Sequence, residues 1–183
     1  MKNIRNDQGL SLVELIVVIA ILGVVTTITA MSFNVVNRTN SGAAADTIDS
    51  YLEKVKSETM SKDSMCYLVL YKSKEKRYPG YYVGITKKEE IPTYEETPKT
   101  DQRVSKKDAV IEVILCDGTT IDVENEDVFI TFDRASGAVK TCFSGKNGKA
   151  LTEKEVPQAI QITSGSRKST IHLVKETGKH YVE

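Results

Sequence analysis

The stretch Gly9-Leu10-Ser11-Leu12-Val13-Glu14-Leu15-Ile16-Val17-Val18-Ile19-Ala20-Ile21-Leu22-Gly23 decides how the rest of the chain is read. It opens a segment, Leu10 to Phe33, in which 17 of 24 residues are apolar, and no charged residue occurs between Leu15 and Asn37. As a helix this segment would span roughly 36 Å, enough for a bilayer core. Its many Val, Ile and Thr residues lower helix propensity in water. In lipid, however, every backbone N–H and C=O must be satisfied internally, which enforces helix. The segment therefore predicts one transmembrane helix over 10–33, with a single carboxylate, Glu14, inside its start.

Averaged composition hides this segment. The 183 residues carry 25 Lys and Arg against 25 Asp and Glu, and 40% are hydrophobic. Zero net charge argues against a protein that coats a polyanion and against an acidic disordered tail. The overall polarity excludes a polytopic membrane protein, and three cysteines exclude a disulfide-dense scaffold. Leader and apolar segment together hold Lys2, Arg5, Asp7 and Glu14, so the remainder is balanced as well.

The flanks of the apolar run give an orientation. Met1 to Gly9 carries Lys2 and Arg5 against Asp7, whereas Asn34 to Ser50 carries Arg38 against Asp46 and Asp49. The basic excess is N-terminal, which puts the N-terminus in the cytoplasm and the larger part of the chain outside. A cleaved signal peptide, with its apolar region at Leu15–Val25 and a cut after Ala30, fits these flanks. A plain signal anchor fits them too. Neither accounts for Glu14, a carboxylate costing roughly 2.5–3.5 kcal/mol at bilayer depth on insertion scales.

Taken together, the basic leader ending at Gly9, the apolar Leu10, Glu14 and the run to Gly23 resemble the class III leader of type IV pilins and pseudopilins. The resemblance implies that a prepilin peptidase cuts between Gly9 and Leu10 and methylates the new N-terminus at Leu10. It implies that Glu14 is the assembly residue and that Gly23 matches a glycine of the family's helix. It also implies sister pilin or pseudopilin subunits, an assembly platform and an ATPase as partners, and a membrane location followed by an extracellular or periplasmic filament. Two positions depart from the usual pattern: Leu10 stands where Phe is common, and Met31 where Pro is common. The charges have a physical logic of their own. A new ammonium at Leu10 and the carboxylate of Glu14 are each costly in lipid when unpaired. Pairing one subunit's ammonium with its neighbour's Glu14 would offset both costs and fix the axial register.

Beyond the apolar run, Ala44, Ile48, Tyr51, Leu52, Val55 and Thr59 recur at spacings of three and four, while Asp46, Asp49, Glu53, Lys54 and Lys56 mostly take the other face. This predicts an amphipathic continuation of the helix over 34–62. A hinge at Asn40-Ser41-Gly42 is the alternative. Residues 63–183 read as a β-rich domain, with strands at Cys66–Tyr71, Tyr81–Ile85, Ala109–Cys116, Thr119–Val123, Val128–Phe132, Ala138–Phe143, Ala159–Thr163 and Thr170–Lys175. Turns are predicted at Pro79-Gly80, Asp117-Gly118, Asp133–Gly137 and Gly178. Lys87–Lys107 and Ser144–Gly148 read as loops. The class is α+β, a long N-terminal helix with an antiparallel sheet packed on its outer half. Thr131-Phe132-Asp133-Arg134-Ala135-Ser136-Gly137, Ile160–Gly165 and Ile171–Glu183 resemble the C-terminal domain of H-type minor pseudopilins.

Candidate chemistry is sparse, and the sequence predicts no enzyme, cofactor or metal. His172 and His180 lack partners at ligand spacing and read as surface or edge-strand residues. Asp122, Glu124, Asn125, Glu126 and Asp127 could present oxygens to Ca²⁺ but lack the loop glycine and closing bidentate Glu, so they read as a solvated acidic turn. Cys66, Cys116 and Cys142 read as buried free thiols, with pairing of any two left open. Tyr78, Tyr81 and Tyr82 beside Lys72, Lys74, Lys76 and Arg77 offer a stacking surface for nucleic acid, the basis of an alternative role in DNA uptake. Half-buried packing is the plainer reading of these tyrosines.

Overall fold

A computed structural model describes residues 12–62, 64–89, 97, 100–105, 109–145 and 152–183, and over 27–39 describes the backbone alone. The expected leader 1–9, Leu10, and most of the 87–107 segment lie outside the described residues. The chain divides into two units, Met1–Val36 and Asn37–Glu183. One helix element, α1, covers Leu12–Ser61. Asn40, Ser41 and Gly42 are helical, so the described backbone has no hinge there.

In the first unit every described side chain, from Leu12 to Thr26, is exposed. Leu12 is 73% exposed and Leu22 57%. Among the described residues no helix is long and apolar enough to cross a membrane. The described apolar side chains stop at Val25, while the sequence stays apolar to Phe33.

The described residues of the second unit form eleven strands in two antiparallel sheets rather than the single sheet expected. The strands are β1 Cys66–Ser73, β2 Gly80–Lys87, β3 Gln102–Ser105, β4 Ala109–Leu115, β5 Thr120–Asp122, β6 Asp127–Phe132, β7 Val139–Gly145, β8 Thr152–Lys154, β9 Pro157–Ser164, β10 Arg167–Val174 and β11 Lys179–Val182. The larger sheet runs β3-β2-β1-β6-β7-β8 and the smaller β11-β10-β9-β4-β5. β3 falls inside the segment expected to be loop. β8 was expected nowhere. Both are short, polar edge strands whose pairing comes from β2 and β7.

Alternation along β1 explains how the larger sheet is covered. Leu68 and Leu70 belong to a core shared by the helix and both sheets, while Tyr67, Val69 and Tyr71 belong to a second cluster with Tyr82 and Phe129. Successive side chains point to opposite faces, so one continuous apolar run feeds two cores. The shared core takes Ala44, Ile48, Leu52 and Val55 from α1, all at 0% exposure, with Ile111, Val113, Ile160, Ile162 and Ile171 from the smaller sheet. These helical residues are four of the six in the amphipathic stripe. Thr59, the last of that stripe, is also buried, and its Oγ1 accepts from the Cys66 N–H at 3.3 Å.

A junction near the C-terminal end of α1 ties helix and sheets together. Lys56 Nζ donates to the carbonyls of Thr177 and Gly178 at 3.1 and 3.2 Å. Val139 N donates to Lys175 O at 2.9 Å, bridging the sheets. Gly178 has φ +57°, and a Cβ there would sit 2.0 Å from Gly137 O. Only glycine permits both that conformation and that approach.

Candidate functional site

Glu14 lies in the first turn of α1 and is exposed. Gly9 and Leu10, the other two expected site residues, lie outside the described residues. A Cβ on Gly23 would meet nothing within 4 Å, so among the described residues no packing requires glycine there. The threonine that interrupts the described apolar run satisfies itself. Thr26 Oγ1 lies 2.9 Å from both the Leu22 and the Gly23 carbonyl oxygens. A hydroxyl bonded back to its own helix is the arrangement a waterless surrounding requires.

The acidic segment is built into the fold rather than opened to an ion. Asp122 Oδ1 accepts from Glu124 N and Oδ2 from Asn125 Nδ2, both at 2.8 Å. Glu124 pairs with Lys72, and Glu126 accepts from Ser144 Oγ at 2.7 Å. Asp127 is 5% exposed, a correction to the solvated turn expected for the whole segment. Among the described residues no group of three or more His, Cys, Asp or Glu is arranged to hold a metal ion.

The tyrosines do not form an open stacking surface. Tyr81 and Tyr82 are buried outright, beyond the half-burial expected, and Tyr82 stacks on Tyr71 with centroids 5.6 Å apart. Burial pushes the Tyr81 phenol up to about 12, with the Glu124 and Asp122 charges acting in the same direction. Only Tyr78 remains half-buried, with Arg77 over its ring.

All three cysteines are free. Cys66 and Cys142 are buried as expected; Cys116 is exposed, because it sits just past β4 in the tight turn to β5. Burial pushes the Cys142 thiol up to about 12. The Cys66 thiol is also raised, chiefly by burial and then by the Glu58 charge.

His172 lies on β10, stacked on Tyr181 at 5.0 Å and 3.0 Å from Glu183 Oε2. His180 departs from the surface position expected: its side chain is 5% exposed, on the edge strand β11 but turned toward α1. Its Nδ1 lies 3.1 Å from Gly178 O, an acceptor, so Nδ1 carries a proton. Its Nε2 lies 3.6 Å from both Asp49 Oδ1 and Glu53 Oε2. Sequence spacing could not pair residues so far apart.

The chain is therefore a β-rich unit without a catalytic cluster among the described residues, preceded by an exposed apolar helix with one carboxylate in its first turn. A family model described as the prokaryotic N-terminal methylation motif matches residues 4–30. Residues 4–30 are a class III prepilin leader. The leader is that of type IV pilins and pseudopilins, and it points to a structural, pilin-type subunit processed by prepilin peptidase. It also implies assembly with other pilin subunits and a membrane-anchored stage before an extracellular one. No curated protein and no solved structure matches the chain.

Proposed function

We propose that the chain is a minor pilin or pseudopilin. It is cut between Gly9 and Leu10, methylated at Leu10, held in the membrane by residues 10–33 with its N-terminus cytoplasmic, and assembled into a type IV pilus or a type II secretion-like pseudopilus. The observation that carries this reading is the methylation motif over residues 4–30. The helix agrees with it: among the described residues its apolar side chains from Leu12 to Val25 are exposed, and a Cβ on Gly23 would meet nothing within 4 Å. Assembly platform and ATPase are the partners this role entails. The H-type resemblance of the C-terminal strands suggests a minor rather than a major subunit.

In this role Glu14 pairs with the Leu10 ammonium of the neighbouring subunit and sets axial register. The test is Glu14→Ala expressed beside the wild-type chain in cells that assemble the filament. The variant should be cleaved and retained in the membrane as the wild type is, yet missing from sheared filaments. Equal incorporation of both chains would remove Glu14 from assembly. The DNA-uptake reading loses its stacking surface, because Tyr81 and Tyr82 are in the core.

A further inference from the structure

The charges of Asn37–Glu183 balance overall but are not spread evenly around α1. Two shallow clefts flank the start of the helix in this unit. One is lined by Asn40, Ala43, Arg103, Val104 and Ser105. The other is lined by Ser41 and Gly42 with Arg167, Lys168, Ser169, Val182 and Glu183. A hydrogen bond between Ser169 Oγ and Ser41 Oγ, 3.2 Å, holds the β9–β10 turn against the helix. On the other side Arg103 donates to the Pro79 carbonyl, which brings the β1–β2 turn to the same end. That turn carries Lys74, Lys76 and Arg77.

Six cations, Lys74, Lys76, Arg77, Arg103, Arg167 and Lys168, are therefore exposed at one end of the unit. Among the described residues of these turns and clefts the carboxylate side chains are Glu75 and Glu183, and Glu183 is engaged by His172. The neighbouring Lys72–Glu124 pair is neutral. The position of these cations along the chain gives the cluster its meaning. Asn40 follows Phe33, the last apolar residue of the expected membrane segment, by seven residues. Even a fully extended chain of that length reaches at most about 25 Å.

We propose that this basic end of the unit docks on anionic phospholipid headgroups of the membrane that holds the chain before assembly. The proposal rests on the membrane anchoring stated above. Wherever anionic headgroups lie in the leaflet the unit faces, they attract Lys and Arg within about a Debye length. A domain tethered so close stays within reach of it. Docking would hold the unassembled subunit against the bilayer, and entry into a filament would release it. The partner is a lipid surface rather than a nucleic acid, because the tether supplies proximity to lipid and, of the neighbouring tyrosines, Tyr81 and Tyr82 are buried while the half-buried Tyr78 ring is covered by Arg77.

The test is hydrogen exchange of the full chain in bilayer nanodiscs, zwitterionic or with anionic phospholipid added, with residues 74–79 and 164–168 as the readout. Anionic lipid should slow exchange in both segments, and high salt should reverse the effect. Arg167→Glu with Lys168→Glu should abolish it at 164–168, the expected loss being about fivefold per basic residue. Arg167→Ala with Lys168→Ala, a milder pair at the exposed start of β10, should give part of that loss. A chain that resists alkaline extraction but exchanges equally in both lipids would overturn the docking proposal and leave the anchor standing. A chain extracted from both would overturn the anchoring on which it rests. Equal protection in zwitterionic discs by inorganic phosphate or an oligonucleotide would overturn the assignment to lipid.

Discussion

Leu12–Thr26 and Ser41–Thr59 belong to one helix element, yet they relate to the rest of the chain in opposite ways. In the first stretch every side chain is exposed, apolar or not; in the second a single stripe is buried, while Asp46, Glu53 and Lys54 are exposed and Asp49, Lys56 and Glu58 half-buried. The first has a composition suited to lipid, and the second has the period of a helix lying on a core. The difference teaches that apolar content and apolar pattern carry separate information. Pattern names a partner inside the chain, while content without pattern names a solvent or partner outside it.

The sharpest way to break this comparison is to truncate one residue in each stretch. Leu52→Ala should destabilise the β-rich unit by about 2–5 kcal/mol in urea unfolding, because Leu52 is fully buried in the shared core. Leu15→Ala should leave the same transition within about 0.5 kcal/mol. Equal effects would mean that the first stretch also packs within the chain.

A smaller effect probes how the second stretch is fastened. Gly178→Ala should cost about 1–3 kcal/mol, from its left-handed backbone and the Gly137 carbonyl in the way. Lys56→Met removes two hydrogen bonds to the turn before β11 and should cost about 1 kcal/mol. Calorimetry of both variants would rank them, and the reverse order would mean the lysine rather than the close glycine contact secures the junction.

The thiols give the most delicate test. At pH 8 one cysteine, Cys116, should alkylate in the native chain, and three in denaturant, as counted by mass. Cys142 and Cys66 are protected by burial and by raised pKa values. The raised Cys142 value also has a stability consequence. Between the ordinary thiol value of 9.0 and about 12, the unfolded chain has lost a proton that the folded chain keeps. Stability contributed by the neutral buried thiol is therefore full below pH 9 and falls as pH rises through that window. Tyr81 adds to the fall above pH 10. The urea midpoint should decline with pH in this range, and less steeply in Cys142→Ala.

Much of this fold was legible because its strands are local. Cys66–Tyr71 is a run of apolar and aromatic residues, and Asp117-Gly118 names its own hairpin. β3 and β8 were not legible. Gln102–Ser105 and Thr152–Lys154 show no alternation, and they become strands only because β2 and β7 offer them an edge. The split into two sheets was hidden for a similar reason. β4 and β5 lie between β3 and β6 in sequence but belong to the other sheet, where β4 pairs with β9, and such long-range pairing leaves no mark on spacing. Burial of Asp127 and His180 depends on neighbours distant in sequence. The prepilin-type motif over residues 4–30 was readable because its signals, a glycine, a carboxylate and an apolar run, sit within fifteen consecutive residues.

The central claim is that the apolar stretch is an assembly helix released by processing at Gly9. Intact-mass spectrometry of the full chain coexpressed with a prepilin peptidase tests it most directly. The account predicts a mature chain beginning at Leu10 and carrying one N-terminal methyl group. A chain beginning at Met31 would show a secreted protein with its apolar segment removed, and would contradict the account.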